Sequence, residues 1–338
     1  PTTPEELYEL LKEIKAADPD SVPMPTRGKW GNAVKGMQIA YGVTNTKSYV
    51  DAWTGEFIPY GYTQDGFREA LKWTNTFYKE GFIDPEFATG SDNQWTEFYA
   101  NGKAYIEYQY VERALWAETN MKAADPDVKW EFTDYNVSAD PSKGYLYERE
   151  NTFFAYGYAF TDKISDEGLA RMLDWCDYIS TDEGATFMCM GVEGVTYQKN
   201  ADGTLQFMDH MYHSTRNPEG TQPWKYGMYM GILKQTDDYT REVGKDANIV
   251  ISADFNADAN AHYSQAFPTA YTPEQESRLA TLDTQIGDMA EEYILKFIMG
   301  QLDPNDDNAW SQYLAALDNA GIQEASQIRI ESYEKVSQ

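Results

Sequence analysis

The sequence predicts an α/β fold, because short apolar or aromatic runs alternate along the chain with segments of helical periodicity. With 338 residues, of which 42% are hydrophobic, the chain can fill one large domain or two ordinary ones. The stretch 151–197 shows the alternation most clearly. Its aromatic opening run, Phe153 to Phe160, carries no charge and is typical of a buried strand, and helical segments and a glycine turn follow it.

The first predicted helix begins at Thr3, which offers an N-cap hydroxyl before a proline at the first helical position and a glutamate that closes a capping box. Residues 37–43, MQIAYGV, then favour a strand. A polar and aromatic loop, residues 44–62, separates this run from a second helical pattern that extends from Gly66 to Lys79.

The middle of the chain continues the alternation. Trp95 to Tyr99 predicts a short helix, and Tyr105 to Tyr110 predicts a strand. Beyond the run at 153–160, an apolar helix face is indicated by the i, i+3, i+4, i+7 spacing of Leu169, Met172, Leu173 and Cys176. A second cap at residues 180–183 begins another helix, and Gly191 ends it in a glycine turn that leads to Tyr197.

The last third of the chain is predicted to be mainly helical. Residues 199–203 indicate a hairpin turn, and the cap design of the first helix recurs at Thr272 and opens a long helix that ends before Gly300. Two further helical patterns cover residues 310–320 and the segment up to Lys335.

The charge of the chain excludes one class of partner. It has 27 Lys and Arg residues against 55 Asp and Glu residues, a formal net charge of −28. Because such a field repels phosphate backbones, nucleic acid is not expected to bind.

Two cysteines, Cys176 and Cys189, fall on apolar helix faces, where thiols are more often reduced than bridged, with a disulfide as the alternative.

No cofactor, metal or catalytic residue is predicted. Residues 254–260 place oxygen ligands at every second position, as in the start of a calcium loop, but the loop lacks the glycine at its sixth place and the glutamate at its twelfth. Solvated loops are also favoured for His210 and His213 and for the acidic run 303–307. A glycosidase stays an alternative, because it needs only two carboxylates and aromatic platforms.

Several motifs stand in a fixed order along the chain: PTTPEEL at 1–7, KEGFIDPEF at 79–87, NGKA at 101–104, Asp174-Trp175, TDEG at 181–184, GVEG at 191–194, FIMG at 297–300, and Trp310, Tyr313, Leu317 and Gly321. These motifs and their order resemble those of the bacterial ABC-transporter extracellular solute-binding proteins of family 1, the maltose-binding-protein-like sugar binders. The resemblance implies a helix-rich, two-lobed fold of the periplasmic-binding-protein type II with a hinge. Because the family places the first of these motifs after the opening βα units, the first lobe is expected to be incomplete.

The resemblance also implies a domain order and a function. Residues 1–155 are expected to form the first part of the second lobe, 156–239 a partial first lobe, and 240–338 the helices that return to the second lobe. The implied protein is a monomer that binds a sugar or oligosaccharide between its lobes and delivers it to the permease subunits of an ABC importer. It would be lipid-anchored outside the cytoplasmic membrane or located in the periplasm.

The composition agrees with a carbohydrate ligand, because 15% of the residues are aromatic and aromatic faces stack against sugar rings. A peptide or polyamine ligand is the alternative. The resemblance nominates ligand contacts in the loop 44–62, at the end of the strand 105–110, in the glycine turn and in the later loops. The candidates are Asn45, Lys47, Tyr49, Trp53, Tyr108, Tyr110, Glu193, Tyr197, Trp224, Tyr226 and Phe267.

Overall fold

The computed structural model describes residues 1–337 except 28–29, 109–116, 118–120, 122–131, 134–135, 148–157, 213–222, 229–233, 235, 247–248, 251–260 and 264–268. The chain forms two compact units. Unit 1 consists of Pro1–Tyr108, Tyr135–Arg149 and Asp254–Gln338, and unit 2 consists of Gln109–Asp134 and Glu150–Ala253.

The helices of unit 1 supply most of its core. They are α1 (Pro4–Ala17), α2 (Trp30–Ala40), α3 (Asp65–Lys79), α4 (Asp92–Ala100), α8 (Pro273–Ile298), α9 (Asp307–Asn319) and α10 (Ile322–Ser337). Helix α8 contacts α3, α9 and α10, and it buries an apolar stripe from Leu279 to Phe297. The buried amide of Asn75 in α3 donates hydrogen bonds to the carbonyls of Phe297 and Ile298, at 2.7 and 3.2 Å. These bonds add a buried side-chain donor to the last carbonyls of α8, where the Phe297 carbonyl also accepts from the Gly300 amide.

Unit 2 has its own smaller core. Its helices are α5 (Asp166–Ser180), α6 (Asp182–Met190) and α7 (Asp237–Asp246). A separate hydrophobic cluster is formed by Ile179, Met188, Cys189, Met190, Phe207, Met211, Met228 and Tyr239. Methionine and cysteine are well represented in this cluster, and their flexible or small side chains fill irregular gaps.

The strands are short and lie in two-stranded pairs. They are β1 (Tyr49–Val50), β2 (Phe57–Ile58), β3 (Phe132–Thr133), β4 (Tyr145–Tyr147), β5 (Tyr197–Lys199), β6 (Leu205–Phe207), β7 (Ile249–Val250) and β8 (Ala261–Tyr263). The pairs β1–β2 and β5–β6 are antiparallel hairpins. The pairs β3–β7 and β4–β8 are parallel and join segments more than a hundred residues apart, the first within unit 2 and the second within unit 1.

Each of the two parallel pairs lies within one unit. Strand β4 pairs with β8 inside unit 1, whereas β3 pairs with β7 inside unit 2, so the chain passes between the units near residues 108, 134, 149 and 253. Such pairings between distant segments cannot be seen in local sequence patterns.

The strand predicted for residues 37–43 is wrong, because this segment continues helix α2 up to Ala40. Its buried residues Ala33, Val34, Met37 and Ala40 follow helical spacing once the residues before position 37 are included. The apolar run alone was too short to distinguish a strand from a buried helix. Gly42, with φ of +85°, then turns the chain into the loop 44–62.

Two other predicted strands are not observed where the structure describes the chain. Residues 105–108 are not in a strand, although the amides of Tyr105 and Ile106 both donate to the carbonyl of Pro23. Of the run 153–160, residues 153–157 lie outside the described residues, and residues 158–160 have no regular structure, with Tyr158 exposed. Aromatic content alone therefore overestimated burial at residues 158–160.

The helix at 166–180 is confirmed, but its predicted apolar face is not buried. Leu173 is 49% exposed, Leu169 and Met172 are only partly covered, and the buried residue of this helix is Ile179 at its C-terminal end. Nearby, Phe187, Val192 and Val195 are exposed as well.

The predicted N-caps at Thr3 and Thr272 are confirmed: Thr3 accepts a hydrogen bond from the Glu6 amide, and Thr272 forms a complete capping box with Gln275. The capping box predicted at the first helix is not formed, because the Glu6 carboxylate accepts from the amide and hydroxyl of Thr2 instead. Helix α3 ends at a glycine, Gly81, with φ of +70°.

Cys176 and Cys189 are both free thiols, as expected. Within the described residues, no helix combines the length and the apolar character needed to cross a bilayer.

Candidate functional site

The loop of residues 44–62, which we call the aromatic loop, is held by its own backbone. The amides of Gly61 and Tyr62 donate to the carbonyls of Lys47 and Thr46, at 3.0 and 3.1 Å, which closes the loop at its base. Between these points β1 and β2 form a hairpin. Asn45 shapes the entry, because its side-chain oxygen accepts a hydrogen bond from the Lys47 amide at 2.9 Å.

The four candidate residues in the aromatic loop have different environments. Asn45 and Lys47 are exposed, and Trp53 is partly exposed. Tyr49 is 4% exposed and belongs to the hydrophobic core of unit 1. Burial, with a smaller contribution from the charge of Asp51, raises the pKa of Tyr49 far above that of a free tyrosine. Of these four candidates, Asn45 and Lys47 are therefore the exposed polar ones, whereas Tyr49 is part of the core.

Trp53 is fixed in its position by two kinds of contact. Its indole N–H donates to the carbonyl of Lys143 at 3.0 Å, and the Lys143 ammonium lies 5.4 Å from the ring centroid. The ring also covers Gly42, where a Cβ would come within 3.3 Å of several ring carbons. A side chain at position 42 would displace the indole, so the glycine is required for more than its positive φ.

A charged cluster below the aromatic loop joins it to the C-terminal helices. Arg329 of α10 donates to both carboxylate oxygens of Asp283 in α8, at 2.8 and 2.7 Å, and to the hydroxyl of Ser48 at 2.8 Å. The hydroxyl of Tyr60 donates to the same carboxylate. The ammonium of Lys47 lies 3.7 Å from Asp283.

The ionisation of Asp283 follows from these contacts. Burial alone would raise its pKa, but the hydrogen bond from Tyr60 and the positive charge of Arg329 outweigh burial and hold the pKa of Asp283 below its usual value. The carboxylate is therefore charged at neutral pH. It neutralises Arg329, so Lys47, with its side chain 53% exposed, adds a positive charge at the surface of the loop.

The sequence patterns did not predict this charged cluster, although the helices that form it each show a charged residue on an apolar face. Asp283 lies on the buried face of α8, at i+4 from Leu279 and three residues before Ile286. Arg329 lies on the buried stripe of α10, between Ala325 and Ser332. A single charge on each of two apolar helix faces indicates a buried pair, but only the structure shows the partners.

The other candidate residue of unit 1 within the described range is Tyr108. It is partly buried, and its ring lies beside Gly36 of α2, where a Cβ would be 3.7 Å from the Tyr108 Cβ. Tyr110 and Phe267 lie outside the described residues.

The candidate residues of unit 2 include two in the glycine turn after α6. The amide of Gly194 donates to the carbonyl of Tyr197 at 2.8 Å, which brings Glu193 and Tyr197 together in a bridge. Glu193 is exposed, and Tyr197 is partly buried. Burial, followed by the charge of Glu193, raises the pKa of Tyr197, so its hydroxyl stays a hydrogen-bond donor at neutral pH.

Thr196 organises the turn from inside. Its buried hydroxyl donates to the carbonyl of Met190 at 2.6 Å and accepts from the amide of Val192 at 2.7 Å. These bonds fix the backbone on both sides of Gly191.

Tyr226 lies near His210 in the same unit. Its hydroxyl donates to the His210 carbonyl at 3.2 Å, and the two rings meet edge to face with centroids 5.9 Å apart. Trp224 belongs to the short 3-10 helix Pro223–Tyr226, and its side chain is outside the described part of the chain.

The structure offers no metal centre among the residues it describes. The carboxylates of the acidic run have structural roles: Asp303 and Asp306 cap nearby amides, and Asp307 forms an ion pair with Arg68 at 2.8 Å. His210 is exposed in a 3-10 turn, and His213 and the segment 254–260 are outside the described residues.

No family model matches the sequence. Two curated proteins of Bacillus subtilis (strain 168) are similar to it. Lipoprotein LipO is 27% identical over 214 residues, which are 59% of this chain and 41% of LipO. The polygalacturonan/rhamnogalacturonan-binding protein YtcQ is 25% identical over 217 residues, 61% of this chain and 41% of YtcQ. The matched region is about two-fifths of the length of these relatives.

Solved structures match nearly the whole chain. The alginate-binding protein AlgQ2 without calcium ion superposes with a TM-score of 0.70 and 20% identity, over 99% of this chain and 68% of AlgQ2. The Streptococcus pneumoniae ABC-transporter substrate-binding protein FusA, an EF-hand mutant in complex with fructo-nystose, gives a TM-score of 0.64 and 16% identity over 100% of this chain and 69% of FusA. These matches confirm the predicted fold class, and the chain has the fold of the two-lobed solute-binding proteins of sugar ABC transporters.

Proposed function

We propose that this chain belongs to an extracellular solute-binding protein that captures an oligosaccharide for a carbohydrate ABC importer and performs no reaction on it. The observation that carries the proposal is its similarity to carbohydrate-binding proteins by two independent routes. One route is sequence similarity to YtcQ, and the other is a fold shared with AlgQ2 and FusA over nearly the whole chain. These relatives and neighbours are binding proteins, which favours binding without turnover over a glycosidase.

The aromatic loop supports the proposal within unit 1. It combines an exposed amide, Asn45, and an exposed ammonium, Lys47, with a partly exposed indole, Trp53. Amide and ammonium groups hydrogen-bond to hydroxyls or carboxylates, and an indole face covers the apolar face of a pyranose ring. In unit 2 we propose Glu193, Tyr197 and Tyr226 as further contacts.

We also propose the partners and location that such a role requires. The bound protein would be recognised by the permease subunits of the importer, and it would act as a monomer in the periplasm or outside the cytoplasmic membrane, with a lipid anchor as one means of retention. The similarity to a lipoprotein supports this location. Unit 1 would correspond to the second lobe of the fold and unit 2 to the first.

A thermal-shift panel tests the ligand class. Acidic oligosaccharides such as oligogalacturonates and oligoalginates, neutral oligosaccharides, peptides and polyamines are each added to the same preparation. A ligand present at 100 times its Kd stabilises the folded state by about 2.7 kcal/mol. Stabilisation by an oligosaccharide supports the proposal. Stabilisation by only a peptide or polyamine contradicts it.

A pair of variants locates the binding surface. Lys47→Ala removes the exposed ammonium of the aromatic loop, and Lys12→Ala removes an ammonium of similar exposure that pairs with Glu9 on α1. We expect Lys47→Ala to weaken oligosaccharide binding and Lys12→Ala to leave it unchanged. Equal affinities for the two variants would remove the loop from the proposed site.

A further inference from the structure

The buried guanidinium of Arg329 connects the aromatic loop to the C-terminal helices at two points. Arg329 is 6% exposed. One of its terminal nitrogens donates to the Ser48 hydroxyl at 2.8 Å, and the other donates to Asp283 at 2.7 and 2.8 Å. Its Cζ lies 4.7 Å from the centroid of the Tyr60 ring. A single side chain of α10 therefore contacts residues near both ends of the loop.

The bond from Arg329 to Ser48 matters because of where Ser48 lies in the loop. Ser48 stands between Lys47, whose ammonium is exposed, and Tyr49, which is buried in the core. Holding the Ser48 side chain fixes the backbone from which the Lys47 side chain projects. Asp283 attracts the Lys47 side chain directly, since its carboxylate lies 3.7 Å from the Lys47 ammonium.

A second contact from α10 supports the far strand of the hairpin. The rings of Phe57 in β2 and Tyr333 in α10 are stacked, with centroids 4.3 Å apart and an interplanar angle of 7°. Helix α10 thus contacts Ser48, the residue before β1, and Phe57 in β2. Stacking of this kind is favourable beyond the burial of the apolar area of the two rings.

A buried ion pair is a weak source of net stability, because desolvation of the two charges offsets most of their attraction. What this pair supplies is geometry, since the guanidinium is planar and its donors point in fixed directions. We propose that Arg329 and Asp283 are positioning residues of the carbohydrate site, which hold the aromatic loop in its ligand-ready shape before the ligand arrives. The inference rests on the proposed function for its ligand, but not for the loop geometry itself.

The chain contains a matched control for this cluster. Arg278 of α8 and Glu324 of α10 form a two-bonded pair at 2.6 Å for each bond. This pair joins the same two helices with the same chemistry, but it is about half exposed, and its charged groups bond to each other rather than to the aromatic loop. A variant that loses this pair therefore shows how a weaker contact between α8 and α10 affects loop exchange and affinity when the bonds to the aromatic loop are intact.

The test uses Ser48→Ala, Arg329→Lys and Glu324→Gln in the full 338-residue chain, with oligosaccharide affinity, thermal midpoint and hydrogen exchange of the loop amides measured for each. Ser48→Ala removes one acceptor at a partly exposed position, so we expect a midpoint close to that of the wild type, faster exchange in residues 44–62 and about a tenfold loss of affinity. Arg329→Lys keeps a charge for Asp283 but offers one nitrogen in place of a fork. We therefore expect it to stay folded and to bind as weakly as Ser48→Ala.

Glu324→Gln should change neither loop exchange nor affinity. The inference is overturned if Ser48→Ala and Arg329→Lys exchange and bind like the wild type, or if Glu324→Gln loosens the loop as much as they do. If the wild-type chain binds no oligosaccharide, the proposed function fails, and the exchange rates still decide whether Arg329 positions the loop. Ser48→Ala keeps the test decisive if Arg329→Lys does not fold.

Discussion

Replacing Gly191 by alanine should destabilise unit 2 more than the same change at Gly194 in the same turn. Gly191 has φ of +87°, and an added Cβ would overlap the Thr196 hydroxyl oxygen and the Met228 sulfur. Gly194 has φ of +75° but no atom within 4 Å of the place a Cβ would occupy. Both variants place a Cβ at a positive φ, which side-chain-bearing residues rarely adopt, and they differ in the space available.

The magnitudes follow from these two terms. A residue with a Cβ costs about 1–3 kcal/mol in such a sparsely populated conformation, and overpacking of a filled site costs about 1–3 kcal/mol. We expect the free energy of unfolding to fall by roughly 2–6 kcal/mol in Gly191→Ala and by roughly 1–3 kcal/mol in Gly194→Ala. Both Thr196 and Met228 are buried, which leaves them little room to move away.

Denaturant unfolding followed by circular dichroism measures this difference, with both variants and the wild type compared at the same protein concentration. A lower midpoint for Gly191→Ala than for Gly194→Ala is the expected result. Equal midpoints would refute the packing of Thr196 and Met228 against Gly191, and with it the geometry of the turn that carries Glu193 and Tyr197.

Three other measurements address the rest of the structure. Asn75→Ala removes a buried side-chain donor from the carbonyls of Phe297 and its neighbour, so the unfolding free energy should fall by about 1–3 kcal/mol, and an unchanged unfolding free energy would contradict this role. Because the pKa of Asp283 is lower in the folded state than in the unfolded chain, where it is about 3.9, the ionised carboxylate stabilises the fold above that pH. This stabilisation is lost as the pH falls toward the pKa of the folded state. The gap in thermal midpoint between wild type and Asp283→Asn should therefore narrow below about pH 4, and a constant gap would count against the ion pair. Cys189 is buried and its thiol pKa is raised by burial, so a thiol reagent should label Cys176 first in the native protein, and prompt labelling of Cys189 would show that the unit 2 core is not closed.

Features set by neighbouring residues could be predicted from the sequence. The caps at Thr3 and Thr272 and the helix stop at Gly81 depend on side chains within a few positions, and all three are present in the structure. The free cysteines followed from composition and position. The motifs that resemble the solute-binding proteins also predicted the correct fold class, because they occur in the same order along most of the chain.

Features set by distant residues could not be predicted. The bond from Asn75 to Phe297 joins residues 222 positions apart, and the unit boundaries depend on parallel pairs such as β4–β8. The run 37–43 became helical because α2 begins earlier, at Trp30, which an apolar window alone does not show. The ion pair between Arg329 and Asp283 could not be predicted either, because the sequence of neither helix shows which residue its buried charge contacts.

Isothermal titration of the wild-type chain with an oligosaccharide from the panel, followed by mass analysis of the recovered ligand, tests the central claim most directly. The claim is that this chain binds a carbohydrate and leaves it unchanged. The expected result is a saturable isotherm and an oligosaccharide recovered at its original mass. Shortened oligosaccharide, or no saturable heat with any carbohydrate that the panel contains, would contradict the claim.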